Sequence, residues 1–142
     1  MFLGEYEHKI DAKGRVAIPP KFRGEFWEGI VLARGLERCI LAYPPSVWKE
    51  IAERFDTMPI ARSKSRRISR VIFATAFSLE LDEQGRLVMP PPLRQHAEIK
   101  ETVIIAGINN YLEIWSKELW EEEQALMIEQ AWQIAEGMET RQ

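Results

Sequence analysis

One unit is written twice in this chain, and that repeat narrows the available folds more than any other feature. Asp11-Ala-Lys-Gly-Arg15, followed by Val-Ala-Ile and Pro19-Pro20, returns as Asp82-Glu-Gln-Gly-Arg86, followed by Leu-Val-Met and Pro90-Pro91. The offset is 71 in a chain of 142 residues. Phe2, Tyr6 and Ile10 fall opposite Phe73, Phe77 and Leu81, and Arg23 falls opposite Arg94. Farther on the offset becomes 72, matching Gly35 with Gly107, Tyr43 with Trp115 and Trp48 with Trp120, as one inserted loop residue in the second copy would require. Each unit is about half a typical domain and cannot bury an adequate core alone. The two copies are therefore expected to fold into each other.

Short runs rich in β-branched and aromatic residues predict strands at 6–10, 15–18, 30–33 and 39–43, with counterparts at 77–81, 86–89, 103–106 and 111–115. Residues 21–27 and 93–99 read as short helical turns after their Pro-Pro pairs, since Pro ends a strand and is tolerated in a first helical turn. Ser46 is expected to cap a helix whose Val47, Ile51 and Phe55 share one face, and Ser116 a matching C-terminal helix. That last helix carries Trp120, Met127, Ala131, Ile134 and Met138 as a narrow apolar seam, open to packing within the chain or against another subunit. Between the copies, Arg62, Arg66 and Arg70 would form a stripe on a helix. The stripe permits phosphate binding, but Glu121, Glu122 and Glu123 could meet it within or between protomers. The expected division is a first repeat at 1–58, a basic connecting helix at 59–72, a second repeat at 73–116 and a C-terminal helix at 117–142.

Charge is divided between the copies. Residues 1–71 hold 14 Lys and Arg against 9 Asp and Glu, net +5, whereas residues 72–142 hold 5 against 13, net −8, which together restore the overall −3. Only the first copy looks suited to a polyanion. No apolar stretch approaches the length of a membrane span, and the first residues lack the basic flank and apolar run of a secretory signal. The single cysteine, Cys39, rules out an intramolecular disulfide, suits a reducing cytoplasm, and is expected to be a buried strand thiol.

In the repeated Asp-x-x-Gly-Arg, Gly14 and Gly85 permit positive φ, while Asp11 and Asp82 can bond turn amides or reach back to the Arg. Arg15 and Arg86 then begin the next strand with a rigid fork that fits a carboxylate, a phosphate, or the O6 and N7 edge of guanine. Lys13 adds a donor at the tip of the first turn, where the second copy has Gln84.

The opening Met-Phe-Leu-Gly-Glu-Tyr, the paired turns, the Pro-Pro stops and the Arg-rich middle segment resemble the MraZ family of bacterial transcriptional regulators over essentially the whole chain. More loosely, the chain resembles the AbrB and MazE class of swapped-hairpin DNA-binding domains. The resemblance implies an α+β fold in which two tandem AbrB-like repeats form one pseudo-twofold β-barrel with peripheral helices. It also implies a cytoplasmic, nucleoid-associated regulator, assembled as a ring, that binds tandem short G-rich boxes upstream of its own gene at the head of the division and cell-wall cluster and represses there. Carried onto this sequence, the DNA-reading surface covers the turn from Asp11 to Arg15 and, in a lesser role because of Gln84 and the surrounding Glu80, Asp82 and Glu83, the turn from Asp82 to Arg86; Arg15 and Lys13 are expected to enter a groove, with Lys9, Lys21 and Arg23 holding phosphates. The Arg62, Arg66 and Arg70 stripe together with Trp120 and Met127 is the expected contact between protomers. Double-stranded DNA and further copies of the chain are the expected partners, with no membrane, metal or cofactor.

Two other classes compete. An enzyme could pair Asp11 with Asp82 across the pseudo-symmetry, but each Asp is better explained by its turn, and His8 and His96 lack ligand spacing. An antitoxin-like protein-binding module would usually carry a disordered tail, where this chain has a periodic helix.

Overall fold

The computed structural model describes residues 1–139; of the expected C-terminal segment 117–142, residues 140–142 lie outside the described residues. Strands β1 (Glu5–Lys9), β2 (Arg15–Ala17), β3 (Ile30–Arg34) and β4 (Ile40–Tyr43) come from the first copy, and β5 (Phe77–Leu79), β6 (Arg86–Val88), β7 (Thr102–Ile108) and β8 (Tyr111–Ser116) from the second. Each expected strand is present, with its ends moved by a residue or two. A 3-10 turn at Pro20–Phe26 follows the first Pro-Pro pair. Helices α1 (Pro45–Phe55), α2 (Ser63–Ser69), α3 (Pro91–His96) and α4 (Lys117–Glu139) complete the mixed α+β fold.

The strands run β1-β7-β8-β4-β3-β5 in one six-stranded sheet, with β2 and β6 in a separate antiparallel ladder. Only β3–β4 and β7–β8 pair within a copy; β1–β7, β3–β5, β4–β8 and β2–β6 all join one copy to the other. The order reads the same from either end when each strand is exchanged for its counterpart, which places a pseudo-twofold axis between β4 and β8. The pairing leaves two ends, β1 and β5, and does not of itself close a barrel.

Both copies fill one apolar cluster that includes Phe2, Val16, Leu32, Leu87, Ile105 and Ile114. Val16 and Leu87 face each other across the β2–β6 ladder and are fully buried, so the inner face of that ladder is core. Burying such a side chain contributes about 1.5–3 kcal/mol. Cys39 is buried beside Ile104, Ala106, Trp115 and Trp120, and burial pushes its thiol far above the ordinary range.

The strand register corrects the expected single insertion. His8 pairs with Val103 and its counterpart Leu79 pairs with Ile30, so Ile30 and Val103 are equivalent at an offset of 73. Tyr43 and Trp115, opposite Val31 and Ile104, return to 72. The second copy thus has two extra residues before β7 and one fewer in the following hairpin. Gly35 and Gly107 are not true equivalents. A Cβ at Gly35 would meet the Cys39 Sγ at 2.5 Å, whereas one at Gly107 would meet the backbone of Phe2 and Leu3 at 2.5 Å.

Two further expectations change at helix ends. Ser46 does not cap α1, which begins one residue earlier at Pro45; Pro44 occupies the cap position, and its carbonyl accepts from Val47 and Trp48 N–H at 3.1 Å. Ser116 does cap α4, its Oγ accepting from Leu119 N–H at 3.1 Å. Arg62 lies outside α2 in extended conformation and Arg70 begins a π turn (Arg70–Ala74), so the three-arginine helical stripe is broken at its first member. That π turn carries Phe73 against Trp48 and Phe55, each at 5.6 Å, while its sequence counterpart Phe2 enters the core and bridges to Asn109.

Gly107→Ala should therefore force Phe2 away from Asn109 and cost about 1–3 kcal/mol of overpacking. Gly24→Ala, with nothing within 4 Å of the added methyl, should be close to neutral. Comparing the two variants by urea denaturation checks the crossing of the copies at Gly107.

Candidate nucleic-acid interface

The two repeated turns are superimposable in their bonding. In the first, Asp11 Oδ1 accepts from the backbone N–H of Lys13 at 2.9 Å and of Arg15 at 2.8 Å, while Oδ2 accepts from Arg15 Nε at 2.6 Å. In the second, Asp82 Oδ1 accepts from Gln84 and Arg86 N–H at 2.9 Å, and Oδ2 from Arg86 Nε at 2.9 Å. Gly14 at φ 78° and Gly85 at φ 74° close the turns in the left-handed region. Each turn is also locked to the opposite copy, for Met89 N–H donates to the Gly14 carbonyl at 2.8 Å and Ile18 N–H to the Gly85 carbonyl at 2.9 Å. Both Asp carboxyls are held below the ordinary aspartate value of 3.8, chiefly by the backbone N–H of Arg15 or Arg86 and then by the same Arg side chain.

Because Val16 and Leu87 point inward, Arg15, Ala17, Arg86 and Val88 share the outward face of the β2–β6 ribbon. Arg15 lies opposite Val88 and Arg86 opposite Ala17, which makes the arginines diagonal neighbours, about 7–8 Å apart between backbones. Each guanidinium is held through Nε by its Asp, leaving the Nη1–Nη2 edge of the fork without a hydrogen-bond partner among the described residues. That edge matches bidentate acceptors such as guanine O6 and N7, or two phosphate oxygens.

The exchange of elements moves the surrounding charges away from their sequence neighbours. Lys9 ends β1 opposite Thr102 and is exposed. Lys21 lies with its Nζ over the Tyr6 ring at 4.7 Å and the Phe22 ring at 5.5 Å. Arg23 does not join the first turn; its Nε donates to the Ile18 carbonyl at 2.9 Å and its side chain covers Gly85 of the second. What does join the first turn is Arg94 and Lys100 of the second copy, which line a cleft of about 650 Å3 with Lys13 and Gly14. Sequence reasoning missed both residues because it grouped charges by copy. The two extra residues before β7 were the available signal.

Arg66 Nη1 donates to the Ile60 carbonyl at 2.8 Å, and among the described residues no ion pair joins Arg62, Arg66 or Arg70 to Glu121, Glu122 or Glu123. Trp120 is buried within its own chain, 5.7 Å from Trp115, and so is not offered to a partner. Beyond it α4 exposes Met127, Ile134 and Met138, and also Ile128 and Trp132, so the apolar face is broader than the expected seam.

The family model described as "MraZ protein, putative antitoxin-like" matches twice, at residues 1–71 and 72–139. The transcriptional regulator MraZ of Dehalococcoides mccartyi is 51% identical over 140 residues, covering 98% of this chain and 99% of that protein. Those of Herpetosiphon aurantiacus, 50% identical over 121 residues, and Thermoanaerobacter pseudethanolicus, 47% over 122, cover 85% and 86% of this chain and 85% of their own lengths.

A carboxyl NMR titration of the folded protein should give both Asp11 and Asp82 midpoints below 3.8. Since the folded values are depressed, the turns' contribution to stability is complete above the unfolded aspartate pKa and is lost as pH falls through the folded one. A midpoint at or above 3.8 would contradict the turn geometry.

Proposed function

Because the chain belongs to the MraZ family, we propose that it is a DNA-binding transcriptional regulator whose β2–β6 ribbon enters the major groove. The observation that carries this reading is the pair of Asp-oriented arginine forks on the ribbon's outward face. A two-stranded ribbon fits a groove about 12 Å wide, and an unpaired Nη edge reads guanine bidentately. Arg15 reads, Lys13 flanks it, and Lys9 and Lys21 contact phosphates. Arg86 contributes less, since Gln84 replaces the lysine and Glu80 and Glu83 oppose phosphate approach. The palindromic strand order and the shared apolar cluster support a pseudo-twofold, barrel-like core beneath the ribbon.

The targets under this reading are tandem short G-rich boxes upstream of the protein's own gene, bound to repress its division and cell-wall cluster. A ring of protomers engages several boxes at once, so affinity comes largely from effective concentration. The exposed apolar face of α4, and Ile60, Ile68 and Val71 beside the basic segment around α2, supply candidate contacts, with the α4 glutamates complementing Arg62, Arg66 and Arg70. Such a regulator works in the cytoplasm, associated with the nucleoid. Among the described residues no helix is long and apolar enough to cross a membrane.

The chain is not an enzyme. Asp11 and Asp82, the carboxylates that a catalytic pair would need, are each engaged by their own turn. The family description also carries an antitoxin-like label. The 23-residue helix α4 favours self-assembly over a tail that folds on a toxin.

Arg15→Ala should abolish specific binding in a mobility shift on tandem-box DNA, with circular dichroism unchanged. Arg86→Ala should do less. Losing one bidentate base contact costs about 1–3 kcal/mol per engaged protomer, and a multivalent assembly feels it several times. Wild-type binding by folded Arg15→Ala, or greater damage from Arg86→Ala, would refute the first turn as the main reader. Size-exclusion chromatography with light scattering should give a species several times the 16.5 kDa chain. A strict monomer at micromolar concentration would exclude the ring.

A further inference from the structure

The turns are alike, but the clefts beside them are not. A Cβ at Gly14 would find nothing nearer than Arg94 Nη1 at 3.9 Å, so the cleft beside the first turn is open. At the second turn, a Cβ on Gly85 would overlap the Nε, Cδ and Cζ atoms of Arg23, and the remaining space is lined by Glu80, Asp82 and Glu83.

The open cleft owes its far wall to Glu98, Ile99 and Lys100, which belong to the connection 98–102, two residues longer than the equivalent connection 27–29. The first copy reaches its strand without those residues, so the crossing does not require them. The longer loop places Glu98 at φ 54°, a conformation unfavourable for a side chain with a Cβ. Arg94 holds it there, Nε donating to the Ile99 carbonyl at 3.0 Å and Nη2 to the Lys100 carbonyl at 2.7 Å, while buried Ile99 anchors it in the core. Glu98, the acid in the cleft wall, is neutralised by Arg38 at 2.6 Å, and nearby Asp11 by Arg15. Lys13, Lys100 and the outer Nη1 of Arg94 are left without an acidic partner among the described residues.

We propose that this cleft, assembled from Lys13 of the first copy and Arg94 and Lys100 of the second, seats a backbone phosphate of DNA. The proposal rests on the reading of the ribbon as the DNA-facing surface. A phosphate held beside Arg15 fixes the ribbon's register on the duplex without reading sequence, leaving Arg15 to read the base. The opposite cleft, covered at Gly85 by Arg23 and edged with carboxylates, holds none. The protomer therefore grips the duplex on one side of its pseudo-axis only.

The test is the salt dependence of binding, by fluorescence anisotropy, to a duplex from upstream of the protein's own coding sequence and to a scrambled duplex of equal length. Lys100→Gln should weaken both several-fold and by the same factor, and should lower the slope of log affinity against log salt by about 0.9 per engaged protomer. Lys100→Arg should keep the wild-type slope. Lys49→Gln, the same charge change on the exposed side of α1, should also keep it. Thermal melts confirm that each variant is folded. An unchanged slope in folded Lys100→Gln, or an equal drop in Lys49→Gln, overturns the seat. If wild type does not prefer its own upstream duplex but Lys100→Gln still lowers the slope, the seat stands and sequence reading falls. If wild type binds neither duplex, both fall.

Discussion

Neither copy of the repeat can complete its own sheet, and the remaining architecture follows from that incompleteness. A copy keeps only one hairpin to itself, β3–β4 or β7–β8, and must give its first strand and its ribbon strand to the other. Backbone N–H and C=O groups left unpaired in a core are costly, so the exchange is enforced by every ladder bond it satisfies as well as by the apolar cluster it closes. The turns inherit this constraint. Gly14 and Gly85 have their carbonyls tied to Met89 and Ile18 of the opposite copy, so the arginine forks are positioned by both copies at once.

The same exchange redistributes charge. By sequence, the first copy is net +5 and the second net −8, and the two turns should differ for that reason alone. In the fold, the first turn acquires Arg94 and Lys100 from the acidic copy, and the second acquires Arg23 from the basic one. With a Debye length of about 8 Å at physiological ionic strength, the charges that matter to a polyanion at the proposed surface are those around the ribbon. The overall −3 says little about them.

Much of the fold was legible because its signals are local. Gly-Arg starts, Pro-Pro stops and β-branched runs place all the strands, and Ser116 is legible as a cap. What was not legible depends on contacts distant in sequence. Ser46 lost the cap position because Pro44 and Pro45 already fix the helical start, and a Pro at the first helical position needs no amide partner. Gly35 and Gly107 were matched as a pair because a glycine is visible in sequence but its reason is not: one makes room for Cys39, the other for the backbone at Phe2. The Asp-x-x-Gly-Arg chemistry of the candidate site was readable residue by residue. Its neighbours were not, since Arg23 and Arg94 lie beside turns they do not follow.

Internal duplication explains how two turns with the same bonding come to have different surroundings. In a homodimer each substitution appears twice, so a lysine gained at one turn tip is gained at both, and the surface keeps its exact twofold. Within a single chain Lys13 and Gln84 change independently, and one connection can lengthen while the other stays short. The bonding that sets the forks, an Asp accepting two amides and one Nε, is retained in both copies because the fold needs both turns closed. The cross-copy bonds to the Gly14 and Gly85 carbonyls and the buried Val16–Leu87 pair are matched as well, but the side chains at the turn tips are under no such constraint. On the ribbon surface, divergence therefore shows at the tips and in the clefts beside them.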